Sequence, residues 1–206
     1  MHFPAVSKAA PSRGRAYRPA PLLAALAFLL PALAIAGAAG ETRDPDEYFF
    51  TQTFGDLREE AATAREAGKQ GMLLFFQADA CPYCQHMRRK VFSDPEVQEW
   101  FAPRFVSIAV DIHGDVELTV FDGITLPSMV FAVHRKVFLT PVVSFINLDG
   151  GEIYRHVGMV KTPHEFMLLG KYIESGRDYV TEFRVFAREQ GMQDEGGLVT
   201  PGEEAD

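Results

Sequence analysis

Apolar residues along this chain switch repeatedly between helical spacing and unbroken runs. Phe54, Leu57, Ala61 and Ala64 recur at helical intervals in a stretch rich in Ala, Glu and Arg that ends at Gly68, the pattern of a helix with one buried stripe. Residues 72–76 are all apolar, as a strand covered on both faces requires. A helix opening at Pro82 would set Cys84, Met87 and Val91 on one side. Ser93-Asp94-Pro95-Glu96 predicts a capping box in which Ser93 and Glu96 satisfy each other's free backbone N–H. The helix it starts carries Val97, Trp100 and Phe101, with Trp100 assigned to the core. Residues 105–111 form a second apolar strand, and 126–137 predict a helix. Residues 142–146 and 153–157 flank Asp149-Gly150-Gly151, a hairpin signal. Thr162-Pro163-His164-Glu165 repeats the capping box, with Pro163 at the favoured first helical position and Phe166, Leu169 and Ile173 behind it. Tyr179, Phe183 and Phe186 mark one more helix. The alternation of strands with helices gives an α/β class.

The first forty residues follow a different logic. Lys8, Arg13, Arg15 and Arg18 precede an apolar run over 22–36, which closes on small residues at Ala34, Ala36 and Ala38. Basic, apolar, then small is the order of a secretory signal peptide. The run is shorter than the roughly 20 residues that span a bilayer; an uncleaved anchor is the alternative. The expected organisation is a signal peptide over 1–36, a linker over 37–48, one domain over 49–190 and a disordered acidic tail over 191–206. This predicts a periplasmic protein.

Charge narrows the partners. The 206 residues carry 20 Lys plus Arg against 28 Asp plus Glu, a formal net charge of −8. Removing 1–36 would take four basic residues and no acidic one, so the remainder is more acidic still. No basic patch follows the leader, which argues against nucleic acid. Two cysteines exclude both a disulfide-dense scaffold and a four-cysteine zinc site.

Those two cysteines stand in Cys81-Pro82-Tyr83-Cys84, directly after a buried strand and at the start of a helix. Pro82 suits the first helical position, which makes Cys81 the N-cap. Free N–H groups and the positive helix end there stabilise a thiolate, so Cys81 is the attacking sulfur. Cys84 lies one turn on and can resolve a mixed disulfide formed by Cys81. A bridge closing so short a loop contributes little as a staple. A c-type haem site fails because Gln85, not His, follows the second cysteine. A metal site recruiting His86 or His134, and two inert core thiols, are the remaining alternatives. His86 is read as an exposed helix histidine, His134 as surface, and Arg88-Arg89-Lys90 as a solvated helix face.

The run 73–84, followed by Met87, by Val91-Phe92-Ser93-Asp94-Pro95-Glu96-Val97 and by a strand ending at Asp111, resembles exported thioredoxin-like proteins. Downstream, 138–145, Asp149-Gly150 and Gly158 are similar to that fold's Thr-Pro strand, hairpin and closing glycine. The nearest resemblance is to the SoxW-like thioredoxins of bacterial sulfur-oxidation systems, which share the C-P-Y-C motif and carry a short insert like residues 114–123 and an extra C-terminal segment like 179–186. The resemblance implies a central mixed sheet flanked by helices, that insert before the Thr-Pro strand, and an extra C-terminal helix. It makes Cys81 the nucleophile, Cys84 the resolving cysteine and Pro82 and Tyr83 the motif dipeptide. It also makes Pro141 a cis-proline, with Thr140 and Gly158 lining a substrate groove. One position departs from cytosolic thioredoxins, which hold a buried acid where this chain has Phe75; Asp79 is nearer to Cys81 and read as exposed. The function implied is a monomeric periplasmic thiol–disulfide oxidoreductase, a dithiol reductant of exported client proteins that needs no metal or other cofactor. It would act on client protein thiols and disulfides and be re-reduced by a membrane thiol donor. A disulfide oxidant or isomerase, a metal-delivery module using the cysteine pair, and a binding module whose cysteines regulate docking are the alternatives.

Overall fold

A computed structural model of the chain describes residues 41–176 and 183–192. The leader over 1–36, Tyr179 and residues 193–206 of the expected acidic tail lie outside the described residues, whereas Met192, expected in that tail, bonds through its N–H to the Ala187 carbonyl. Among the described residues no helix is long and apolar enough to cross a membrane.

Four strands form the main sheet: β1 (Gly71–Gln77), β2 (Phe105–Asp111), β5 (Val142–Ile146) and β6 (Glu152–Val157), in the order β2-β1-β5-β6. β1 runs parallel to β2 and antiparallel to β5, and β5 runs antiparallel to β6. The parallel pair requires a crossover. It is supplied by α3 (Pro82–His86), a π-helical turn over Met87–Val91, and α4 (Pro95–Phe101).

Strand alternation splits the core in two. Leu73 and Phe75 face one side with Cys81, Cys84, Met87, Phe92, Val143, Phe145 and Phe166. Met72, Leu74 and Phe76 face the other, under α2 (Leu57–Glu66) and α5 (Ser128–His134). This two-sided burial is why residues 72–76 show no polar alternation. On the first side, α6 (Pro163–Glu174) and α7 (Phe183–Glu189) complete the cover. At Gly170 of α6 an added Cβ would run into Trp100 and Phe101, so glycine lets α6 approach α4 closely.

Several expectations change. Residues 126–137 are not one helix: Thr125–Pro127 is strand β4, paired antiparallel with β3 (Glu117–Thr119), and α5 begins only at Ser128. The insert 114–123 thus supplies half of a hairpin whose turn includes Gly123 at φ 89°. Phe54 lies outside α2 and is fully exposed; Asp56 caps that helix by accepting from the N–H groups of Arg58 and Glu59. The segment expected as linker over 37–48 contains α1 (Pro45–Tyr48), and the Arg43 N–H bonds to the Ser93 carbonyl. Asp94, not Ser93, caps α4, accepting from the N–H groups of Glu96 and Val97. Ser93 instead donates its hydroxyl to the Arg89 carbonyl. Aspartate wins because its side chain reaches both free N–H groups at once. At α6, Thr162 does cap through the Glu165 N–H, but the Glu165 carboxylate reaches the Lys161 N–H. Trp100 is only half-buried, edge-on to Phe101 and covered by the Arg104 guanidinium at 4.3 Å.

Candidate active site

The C-terminal end of β1 delivers the chain to Cys81. The Cys81 N–H bonds to the Ala78 carbonyl, closing a tight turn, and the Gln85 N–H returns to the Cys81 carbonyl as the first helical bond. Cys81 is the N-cap of α3 and Pro82 its first residue, as the missing proline donor favours. The two cysteines are joined as a disulfide with Cα atoms 5.2 Å apart. The N–H of Cys84 also points at Cys81 Sγ, 3.1 Å away. A free helix-end donor aimed at a sulfur stabilises negative charge there once the disulfide is opened. Cys84 is 1% exposed and Cys81 8%, while Pro82 and Tyr83 stand exposed beside them. The outer sulfur is the one a partner can approach.

Sheet register brings the residues expected to line a groove, distant in sequence, to the same end. Val142 pairs with Phe76 on one side and Val157 on the other. Pro141 therefore lies at the end of the sheet where β1 runs out toward Cys81 and where β6 ends before Gly158. The Thr140–Pro141 peptide is cis. The Pro141 carbonyl accepts from the Gly158 N–H at 2.9 Å, locking the two loops together. Gly158 has φ 105°, and an added Cβ would meet nothing within 4 Å. This left-handed backbone conformation favours glycine at the position.

Two neighbours differ from their sequence reading. His86 is half-buried, with Nε2 2.9 Å from the Lys161 carbonyl, so it pins the redox helix to the loop after β6. Arg88 is turned inward. It pairs with Asp46, donates to the Gln77 side chain and lies 4.9 Å over the Phe50 ring, while Arg89 and Lys90 remain exposed. The unbroken positive charge of Arg88-Arg89-Lys90 gives no hint of this; the available signal is Phe49-Phe50, two aromatics that have to be buried. Phe75 is fully buried, with Phe50 stacked on it and Phe92 edge-on. Asp79 is exposed. His134 is exposed as read. Among the described residues no three His, Cys, Asp or Glu side chains gather as a metal site.

A family model described as a thioredoxin-like domain matches residues 57–174. No curated protein matches the chain. Among solved structures, a thioredoxin-fold protein from Helicobacter pylori is similar at 19% identity, over 60% of this chain and 81% of its own, with a TM-score of 0.46. A thioredoxin from Thermus thermophilus is similar at 26% identity, over 65% and 89%, with a TM-score of 0.42. The C-terminal domain of DsbD from Neisseria meningitidis is similar at 22%, over 57% and 90%, with a TM-score of 0.41.

Proposed function

This chain belongs to the thioredoxin-like domain family, and we propose that within it the protein is an exported dithiol reductant of client proteins, of the SoxW-like kind. At the coarser level it is a thiol–disulfide oxidoreductase with the Cys81–Cys84 pair as its redox couple. The observation that carries the proposal is the position of that pair. Cys81 caps a helix at the open end of the sheet, Cys84 lies buried behind it, and the Thr140–Pro141 turn occupies the same sheet end. The basic-apolar-small leader supports export.

In the reductive direction the reduced Cys81 thiolate attacks one sulfur of a client disulfide. The client's other sulfur leaves as a thiolate and takes up a proton. Cys84, deprotonated, then attacks Cys81 Sγ, expelling the second client thiolate and closing the Cys81–Cys84 bond. Two electrons and two protons pass to the client. A membrane thiol donor restores the dithiol by the same exchange in reverse. Pro82 and Tyr83 shape the rim of the pair, and the Thr140 backbone and Gly158 flank the approach.

The test is the equilibrium potential of Cys81/Cys84 against a dithiothreitol series, paired with turnover of a protein disulfide. A potential near that of thioredoxin, about −270 mV, with turnover lost in Cys81→Ser, is the expected result. A potential near −120 mV would make the protein an oxidant instead.

A further inference from the structure

Beyond Thr140, Pro141 and Gly158, we propose that residues 133–139 form a docking strip for the client, selecting extended segments that carry apolar and acidic side chains beside the target cysteine. This rests on the reading of the protein as a reductant of polypeptide disulfides and names the substrate class of that same site.

Side-chain exposure is the first observation. Phe138 and Leu139 are 68% and 74% exposed, immediately before the Thr140–Pro141 turn. α5 buries Ser128, Phe131 and Ala132 and leaves Val133 and His134 outward at the end that leads into this loop. Met129 and Val130 extend the apolar face along the helix. Isolated exposed apolar residues are ordinary, but a run of them joined to a reactive site marks an interaction surface.

Backbone is the second. Among the described residues nothing hydrogen-bonds to the N–H or C=O groups of Phe138, Leu139 or Thr140. A short row of open donors and acceptors is what an incoming extended peptide pairs with, side chains supplying the selection. Lipid acyl chains offer no partners to such groups, so a polypeptide fits this strip better than a membrane surface does.

Charge is the third. From Gly123 to Leu148 the sequence has no carboxylate, although the chain as a whole is acidic. Lys136 is exposed at the turn out of α5, at φ 56°, and His134 is exposed beside it. A cation between apolar side chains favours clients bearing Asp or Glu near the cysteine. The same net acidity disfavours a second copy of this chain.

The test uses the reduced full chain and two disulfide-linked peptide substrates differing only in the five residues preceding the cysteine: one set apolar with two Glu, the other Ser with two Lys. The apolar-acidic peptide should show a KM roughly tenfold lower, the size of one well-buried apolar contact. Phe138→Ser and Val133→Ser should shrink that preference. Lys136→Asn, which keeps a residue that tolerates positive φ, should abolish only the part contributed by Glu, as a peptide with Gln in place of Glu would reveal. Equal KM values for both peptides would overturn the strip while leaving the reductant reading intact. Reduction of neither peptide would overturn the reductant reading and this one with it. A preference unaffected by all three variants would also overturn the strip, as would co-flotation with phosphatidylglycerol vesicles lost in Val133→Ser while peptide KM stays constant.

Discussion

The backbone N–H of Cys84 points at the sulfur of Cys81 from 3.1 Å, so in the proposed exchange the resolving residue would also stabilise the thiolate that begins it. In the reduced protein this donor and the end of α3 should hold the Cys81 thiol below its usual range. Iodoacetamide near neutral pH should therefore modify Cys81 first, with Cys84 protected by burial. Cys84→Ser keeps the attacking sulfur but not the resolving one, and should accumulate client mixed disulfides visible on non-reducing gels. Preferential labelling of Cys84, or trapping by Cys81→Ser, would reverse the two roles.

Gly158 ties the end of β6 to the Pro141 carbonyl at φ 105°. Gly158→Ala meets no steric obstacle, so its cost should come from the backbone alone, about 1–2 kcal/mol. Urea denaturation should show this loss, together with a slower turnover of protein disulfides as the Pro141 loop loses its tether. An unchanged midpoint would mean the chain adopts this conformation for other reasons.

Phe75 occupies the place where cytosolic thioredoxins keep a buried acid, and it is held between Phe50 and Phe92. Its role here is packing, so Phe75→Ala should cost about 3–5 kcal/mol in chemical denaturation. Phe75→Asp should be at least as damaging, because a carboxylate would be buried with no described partner in that aromatic cluster. A Phe75→Asp variant of normal stability and faster turnover would show that the site accepts a base after all.

The strands and the redox pair were legible because each follows from local arithmetic. Residues 105–111 and 142–146 match β2 and β5 to the residue, since both strands are apolar runs broken only by the small Ser107 and Ser144 and by Asp111 at the end of β2. Cys81 as N-cap followed from Pro82 alone. The capping box at Ser93 misled because Asp94 stands beside it and is the better acceptor for two N–H groups. The β3–β4 hairpin was hidden: Glu117–Thr119 and Thr125–Pro127 are three residues each, too short for a period of two to emerge. The roles of His86 and Arg88 depend on partners 75 and 42 positions away in sequence, and no local pattern encodes such contacts. Gly158 stands out by its spacing from the hairpin, but its φ of 105° does not, because spacing reveals a glycine and not its conformation.

His156 supplies a pH dependence that the cysteines do not. It pairs with Val143 in the sheet and meets the ring of Phe183 edge-on, at the edge that α7 covers. Burial lowers its pKa from 6.5 to about 4. In the unfolded chain His156 takes up a proton near pH 6.5, whereas in the folded chain it stays neutral until about pH 4. Between those values the unfolded state binds the extra proton, so folded stability must fall as pH falls. No such penalty exists above pH 6.5, and it is complete below about 4; at roughly 1.4 kcal/mol per pH unit its upper bound is about 3 kcal/mol. Urea midpoints measured across this window should decline more steeply for the native chain than for His156→Gln, which cannot take up the proton. Because carboxylates titrate equally in both proteins, the difference isolates the histidine. Parallel declines would mean that water reaches His156 freely and that α7 does not seal it.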